Sequence, residues 1–275
     1  MDTQAIFRTI REGDVDAVTA LLDEHPFLIH VENTEKDAWR ERKVMNCAAH
    51  NGRLDIVKLL VERGAEVYSH PFANYPPVID AAWAGHQDVV DYFLNEIPDK
   101  APGTNGIGVA VNLAAREGWA DVVRKHIEKD PLSVHQRGWI GDTPLHWPSH
   151  NGHVETVEIL LDAGADIEAD EINYVGGKPL HWASEHGPST VEVLLKRGAE
   201  VNSRNVKRGS DFEGVTPLIM NATQKNDCAE VTELLIAAGA DIGAKDARGK
   251  TALQHAKEKG LKRVPEVLRK HGAEQ

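Results

Sequence analysis

A block of about 33 residues recurs along the whole chain. Its copies align on a glycine slot, which Lys225 fills once and glycine fills elsewhere: Gly13, Gly52, Gly85, Gly118, Gly152, Gly187 and Gly260. A repeat of this length cannot bury its apolar face alone, so neighbouring copies must stack on each other. The pattern therefore predicts a solenoid without a single central core.

Each copy has the same internal order. A turn leads into Thr143, Pro144, Leu145 and His146, and Gly152 interrupts the apolar pattern before a second stretch that ends in Leu-Leu and Gly-Ala-Asp at residues 160–166. This order resembles the ankyrin repeat. The resemblance covers essentially the entire chain and is closest at residues 142–167, 178–202, 216–242 and 251–273. Earlier copies are degenerate, with residues 43–46 reading Lys-Val-Met-Asn in place of Thr-Pro-Leu-His.

The resemblance implies an all-α fold, an ankyrin-repeat solenoid of stacked helix-turn-helix repeats with short β-like fingers. We expect one domain over residues 1–275. Its eight repeats would lie at about 2–36, 37–70, 71–103, 104–136, 137–171, 172–205, 206–244 and 245–275.

Charge and composition limit the classes of partner and the cellular compartment that can be expected. The net charge is −12, and binding to a nucleic-acid backbone depends largely on Lys and Arg, so we expect no nucleic-acid partner. The sequence has no apolar stretch of about 20 residues and no secretory pattern at its start, so neither a membrane span nor export is expected. Two cysteines in distant repeats, Cys47 and Cys228, suit a reducing, cytoplasmic compartment.

In ankyrin-like stacks the first helices and the fingers line a concave groove. The residues two positions before the glycine slot are then His50, Trp83, Arg116, His150 and Glu185, and His186 lies one position before it. Five positions before the glycine, near the same surface, are Cys47, Asp80, Leu113, Trp147 and Trp182. Helices in adjacent repeats lie roughly 8–10 Å apart, so His150 could meet Glu185 and Asp80 could meet Arg116.

An aromatic column is predicted along the fingers. The slot four residues before each threonine position holds Trp39, Phe72, Asn105, Trp139, Tyr174 and Phe212, in a chain with only 5% aromatic residues. These rings either pack on one another or form a platform for a ligand.

Several other polar residues have structural explanations. The imidazoles of His146 and His181 are expected to bond nearby backbone, and Ser149 and Ser184 to lie in the core. Pro148 interrupts the helical turn that a zinc site at His146, His150 and His153 would need, and Cys47 with His50 lacks a third catalytic group. We therefore expect no metal and no cofactor. Because Pro148 lies inside a short helix, it is also expected to kink the backbone beside the groove.

The leading hypothesis is a recognition module that binds a protein or peptide partner in the groove. Its binding residues would be Trp39, His50, Phe72, Trp83, Arg116, Trp139, Trp147, His150, Tyr174, Trp182, Glu185, His186 and Phe212. The alternative is a small-molecule, carbohydrate-like binding protein or an enzyme with Asp80, His150 and Glu185 as acid–base residues. A third hypothesis is an architectural spacer.

Overall fold

A computed structural model describes residues 2–35, 41–67, 76–97, 109–138 and 140–274. The chain divides into two compact units, residues 1–109 and residues 110–275, and each is described by itself. The expectation of one continuous domain stays a prediction.

The described residues of the first unit form three helix pairs and a 3₁₀ helix. The helices are α1 (Ala5–Glu12), α2 (Val15–Glu24), the 3₁₀ helix Pro26–His30, α3 (Val44–His50), α4 (Leu54–Glu62), α5 (Pro77–Ala84) and α6 (Gln87–Glu96). Each first helix packs on its own second helix, and neighbouring first helices also pack, α1 on α3 and α3 on α5.

In the second unit, residues 110–138 and 140–274 form five helix pairs. They are α7 (Val111–Arg116) with α8 (Ala120–Lys129), α9 (His146–Asn151) with α10 (Val154–Asp162), α11 (Pro179–His186) with α12 (Pro188–Lys196), α13 (Pro217–Thr223) with α14 (Ala229–Ala237), and α15 (Ala252–Glu258) with α16 (Arg263–Lys270). A 3₁₀ helix, Pro131–His135, follows α8.

These elements confirm the predicted all-α fold. In the described part of the chain, β structure amounts to two isolated bridges, between Glu32 and Lys43 and between Lys245 and Thr251. The fingers are the segments between one helix pair and the next. Neighbouring fingers of the second unit are joined by backbone hydrogen bonds, such as the one from Asn173 N to Ile140 O at 2.8 Å. No helix in the described ranges has the length and apolar character needed to cross a membrane.

The repeated leucines build the core of the second unit. The leucine of the Thr-Pro-Leu-His slot is buried in four successive repeats, as Leu145, Leu180, Leu218 and Leu253. The second helices contribute Leu160, Leu194, Leu235 and Leu268, also buried. Burial of each such side chain stabilises the folded state by roughly 1.5–3 kcal/mol, and the contacts lie between adjacent layers, as a solenoid requires.

In two repeats, the repeated threonine caps the start of the first helix. Thr216 Oγ1 accepts a hydrogen bond from Ile219 N at 3.3 Å, and Thr251 forms a reciprocal capping box with Gln254. Thr143 differs, because its N–H donates to His146 Nδ1 at 3.0 Å and α9 begins three residues later. Thr143 therefore contacts the imidazole and does not cap the helix.

The glycine slot serves two purposes. Gly152 ends α9 with φ +80°, a left-handed conformation that glycine adopts at little cost. Gly187 has φ −109°, because the following Pro188 disfavours a helical conformation at this position. A β-carbon at Gly187 would lie 2.5 Å from Thr190 Oγ1 and 3.1 Å from Ser149 O, so glycine is needed there for close packing.

Candidate functional site

In the second unit, α9 and α11 bring five side chains together. We call them the His150 cluster: Trp147, His150, Trp182, Glu185 and His186. The two indole rings meet edge to face, with centroids 5.0 Å apart and an interplanar angle of 87°. The rings of His150 and His186 have centroids 4.9 Å apart, and His150 Nε2 lies 3.5 Å from Glu185 Oε2. The two indole rings thus lie beside the polar pair of His150 and Glu185.

Helical spacing explains the convergence. Trp147 and His150 lie three residues apart on α9, and Trp182 and Glu185 lie three residues apart on α11, so each pair shares a helix face. Because α9 and α11 pack together, corresponding slots in adjacent repeats become neighbours. The meeting of His150 with Glu185 that the repeat spacing predicted is observed.

Asn151 fixes the orientation of His150. Asn151 Nδ2 donates to Arg116 O at 2.9 Å, which places Asn151 Oδ1 2.9 Å from His150 Nδ1. Since Oδ1 can only accept, Nδ1 carries a proton and donates it. His150 Nε2 is then the ring atom that faces Glu185.

The neighbouring carboxylate controls the charge of His150. Glu185 raises the pKa of His150 above its ordinary value, and the bond to Asn151 acts in the same direction, while partial burial opposes both. The side chains of His150 and Glu185 are both mostly buried yet reach solvent. The pair can therefore hold a proton between the two side chains.

Arg116 covers part of Trp147. Its guanidinium carbon lies 5.1 Å from the centroid of the Trp147 ring, a cation–π distance, and its Nε lies 3.3 Å from Glu117 Oε1. Trp147 therefore contacts Arg116 from the preceding repeat and Trp182 from the following one.

Trp182 differs from its predicted placement in the groove. Its side chain is only 4% exposed, because the rings of His146, Trp147 and His150 pack around it. Its Nε1 is buried and has no hydrogen-bond partner among the described residues. Trp182 thus packs against the other rings of the cluster, and its buried side chain is not available to a partner.

Asp80 also differs from the expectation. Its carboxylate is 2% exposed and accepts a hydrogen bond from Asn46 Nδ2 at 2.7 Å within the first unit. Cys47, in the same repeat slot, is buried as well, and burial raises the pKa of its thiol far above the ordinary value. Asp80 is therefore not an accessible acid–base group.

Two further predicted residues lie in the first unit. His50 and Trp83 are partly exposed near the ends of α3 and α5, and His50 O is 3.1 Å from His86 Nε2. They belong to a different compact unit from the His150 cluster.

Large apolar side chains are exposed on neighbouring fingers of the second unit. Tyr174 is 65% exposed, Ile172 is 57% exposed and Val206 is 61% exposed. The two fingers are tied together, since Lys207 Nζ donates to Tyr174 O at 2.6 Å. The buried Glu171 shapes the first of them by accepting backbone N–H groups from Tyr174, Val175 and Gly176.

The aromatic column can be followed at two positions. Phe212 is partly exposed and lines a cleft of about 430 Å³ with Arg248 and His255. Neither Tyr174 nor Phe212 packs against another aromatic ring among the described residues. The other members of the column, Trp39, Phe72, Asn105 and Trp139, lie outside the described residues.

The structural interpretations of the other polar residues are confirmed. His146 Nε2 and His181 Nε2 lie 3.2 Å and 3.0 Å from backbone carbonyl oxygens of the next repeat. Ser149 and Ser184 are fully buried, and each donates its hydroxyl to a carbonyl one turn earlier. His153 Nε2 contacts Arg116 O at 3.1 Å, so His146 and His153 are both occupied by backbone bonds.

Sequence reasoning missed four residues at this surface. Asn151 was not among the predicted site residues. Asn226, whose Nδ2 donates to Glu185 O at 2.6 Å, follows the single slot where lysine replaces glycine. That departure from the repeat was the available signal. Ile172 and Val206 lie in fingers whose lengths vary, so no repeat position marked them.

Comparison with known proteins agrees with the fold. The profile described as "Ankyrin repeats (3 copies)" matches residues 4–102 and 111–205, and the profile "Ankyrin repeat" matches residues 213–247.

The similar proteins are longer than this chain. Among them, "Ankyrin repeat and KH domain-containing protein mask-1" of Caenorhabditis elegans is 31% identical over 98% of this chain and 11% of its own length. "Ankyrin repeat protein nuc-2" of Neurospora crassa is 27% identical over 97% of this chain and 25% of its own length. "Probable E3 ubiquitin-protein ligase XBOS32" of Oryza sativa subsp. japonica is 29% identical over 57% of this chain and 37% of its own length.

The matched profiles cover more than half of the chain, and the paired helices and glycine breaks agree with them. The chain therefore belongs to the ankyrin-repeat family.

Proposed function

We propose that this chain binds a protein or peptide partner through one surface of its second unit, formed by the exposed finger residues Ile172, Tyr174 and Val206 together with the His150 cluster. Ankyrin repeats are in general modules for protein–protein interaction. The observation that carries the proposal is the group of three large apolar side chains, each more than half exposed, on two fingers that contact each other. Exposed apolar side chains that lie together on one surface typically mark interaction sites, and these three lie on neighbouring fingers.

The geometry of α11 supports a continuous surface. This helix begins at Pro179, shortly after the finger that bears Tyr174, and ends at His186 in the His150 cluster. Its eight residues span about 12 Å, so a single extended peptide can contact the finger and the cluster together.

Other partner classes have less support. The carbohydrate-like or enzymatic alternative needs Asp80 as an acid–base residue, but Asp80 is buried in the first unit. The negative net charge argues against nucleic acid, and the two free cysteines suit a cytoplasmic location.

The test compares single alanine variants with an exposed leucine as the control. A partner is first identified by pull-down with the wild-type chain, and its affinity is then measured with purified proteins. Tyr174→Ala and Trp147→Ala are expected to weaken binding at least tenfold, about 1.4 kcal/mol or more, because aromatic side chains dominate interface energies.

Leu132→Ala is the matched control. Leu132 is 72% exposed, but it lies on the 3₁₀ helix Pro131–His135, outside the segments that bear Ile172, Tyr174 and Val206, so its removal should leave the affinity within twofold of wild type. Equal losses in the Leu132 and Tyr174 variants, or unchanged affinity in the Tyr174 and Trp147 variants, would refute the proposal.

A further inference from the structure

We propose that His150, Glu185 and His186 form a binding site for one divalent transition-metal ion of the Zn²⁺ type. One potential ligand atom from each residue lies within 4.8 Å of the other two. Two imidazoles and one carboxylate are a ligand set that zinc uses in proteins. The inference does not depend on the proposed protein partner.

The distances suit coordination with small side-chain movements. Bonds of 2.0–2.1 Å in a tetrahedral site place neighbouring ligand atoms about 3.4 Å apart. His150 Nε2 and Glu185 Oε2 are already 3.5 Å apart, so an ion between them needs no backbone change. Only His186 must move closer, and it lies on the exposed side of the cluster.

The surroundings of His150 are those of a metal-binding histidine. Metal-bound imidazoles usually donate their second ring N–H to an oxygen, which fixes both the tautomer and the ring plane. His150 already donates Nδ1–H to Asn151 Oδ1, and Asn151 is held by Arg116 O. Nε2 is thereby directed towards Glu185, and a bound ion would take the place of the proton that the pair can hold.

His186 requires the larger reorganisation. Its Nδ1 accepts a hydrogen bond from Asn226 Nδ2 at 3.0 Å. Coordination through Nδ1 replaces that bond. Coordination through Nε2 leaves the proton on Nδ1, so Asn226 must then present Oδ1 as the acceptor. Since the side chains of His150 and Glu185 also reach solvent, water can complete the coordination sphere.

The experiment uses the full chain after removal of metals with a chelator. Zn²⁺ binding is measured by isothermal titration calorimetry, and Co²⁺ is used as a visible-absorption probe of tetrahedral coordination. We expect one equivalent of tight binding, a Co²⁺ spectrum typical of tetrahedral sites, and a higher melting temperature when Zn²⁺ is present, because the ion binds only the folded chain.

His150→Ala, Glu185→Gln and His186→Ala are each expected to weaken Zn²⁺ binding at least tenfold. The control is His271→Ala, which removes an exposed histidine in the last repeat and should leave the affinity within twofold of wild type. Circular dichroism of the metal-free variants checks that each remains folded.

Three results would overturn the proposal. The first is less than one equivalent of Zn²⁺ bound by the wild-type chain. The second is a set of folded variants that all retain wild-type affinity. The third is a loss in His271→Ala that equals the loss in His150→Ala.

Discussion

At the scale of single residues, His146 and His181 show how one repeated side chain links neighbouring repeats. Both imidazoles are fully buried, and each places Nε2 against a carbonyl oxygen of the following repeat, Gly177 O or Val215 O. Nδ1 accepts a backbone N–H from the start of its own repeat. A neutral imidazole with the proton on Nε2 satisfies both bonds.

Burial makes this link sensitive to pH. Removal from water lowers the pKa of His146 and of His181 to about 4, against an ordinary value of 6.5. Because the pKa is lower in the folded state, protonation favours the unfolded chain. The stabilisation is complete above about pH 6.5 and is lost as the pH falls towards 4.

We therefore expect each histidine to reduce the free energy of unfolding by about 2 kcal/mol between pH 7 and pH 5. Urea unfolding at both pH values should show that His181→Gln loses about 2 kcal/mol less than the wild-type chain over this interval. His271→Ala, which changes an exposed histidine, should show the wild-type loss. A His181→Gln variant with the full wild-type pH dependence would contradict the assignment.

Individual residues also show what could be predicted from sequence. The roles of His146, Ser149 and Gly152 were predictable because local spacing within one repeat determines them. The burial of Trp182 and Asp80 was not, since it depends on which side chains the adjacent repeats place above them. The orientation of His150 depends on Asn151 and on a carbonyl 35 residues away, which no local pattern reveals.

At the scale of elements, Pro148 sets the start of α9. Pro148 has no N–H to donate to Pro144 O. The segment before His146 is a turn, whereas α11 and α13 are already helical at their first proline. The kink predicted at Pro148 therefore appears as a late helix start. Trp147 and His150 lie on either side of this proline.

Replacement of Pro148 by alanine should extend α9 towards Thr143. Alanine occupies the same slot in the next repeat, as Ala183, so the packing tolerates it. The restored hydrogen bond and the better helix propensity should outweigh the greater freedom of the unfolded chain, with a net gain of about 1 kcal/mol in the free energy of unfolding.

Pro217→Ala is the matched control, because Pro217 is the first residue of α13, where a helix needs no N–H donor. Chemical unfolding should show no gain for this variant. If Pro148→Ala is no more stable than Pro217→Ala, the late start of α9 has another cause.

Helices were easier to predict than fingers. The 33-residue period placed every helix pair in the described part of the chain, because periodic apolar residues and glycine breaks act locally. Fingers follow no such period. Glu171, a buried carboxylate that bonds three backbone N–H groups, shapes the finger with Tyr174, and its role depends on the folded loop.

At the scale of the whole molecule, the family and the repeat architecture are shown by the matched profiles and the helix pairs. The family and the fold do not identify the partner, because the chain spans between 11% and 37% of the length of the three relatives described above. The choice of partner depends on surface side chains, which vary between repeats while the buried leucines recur.

The proposed partner contacts the finger with Tyr174 and the His150 cluster together. Hydrogen–deuterium exchange of the chain with and without its purified partner is the direct test of this joint contact. We predict slower exchange in the complex at residues 172–176 and at residues 182–187, with no change at residues 131–135. Slower exchange confined to residues 131–135 or to the first unit, with residues 172–176 unchanged, would contradict it.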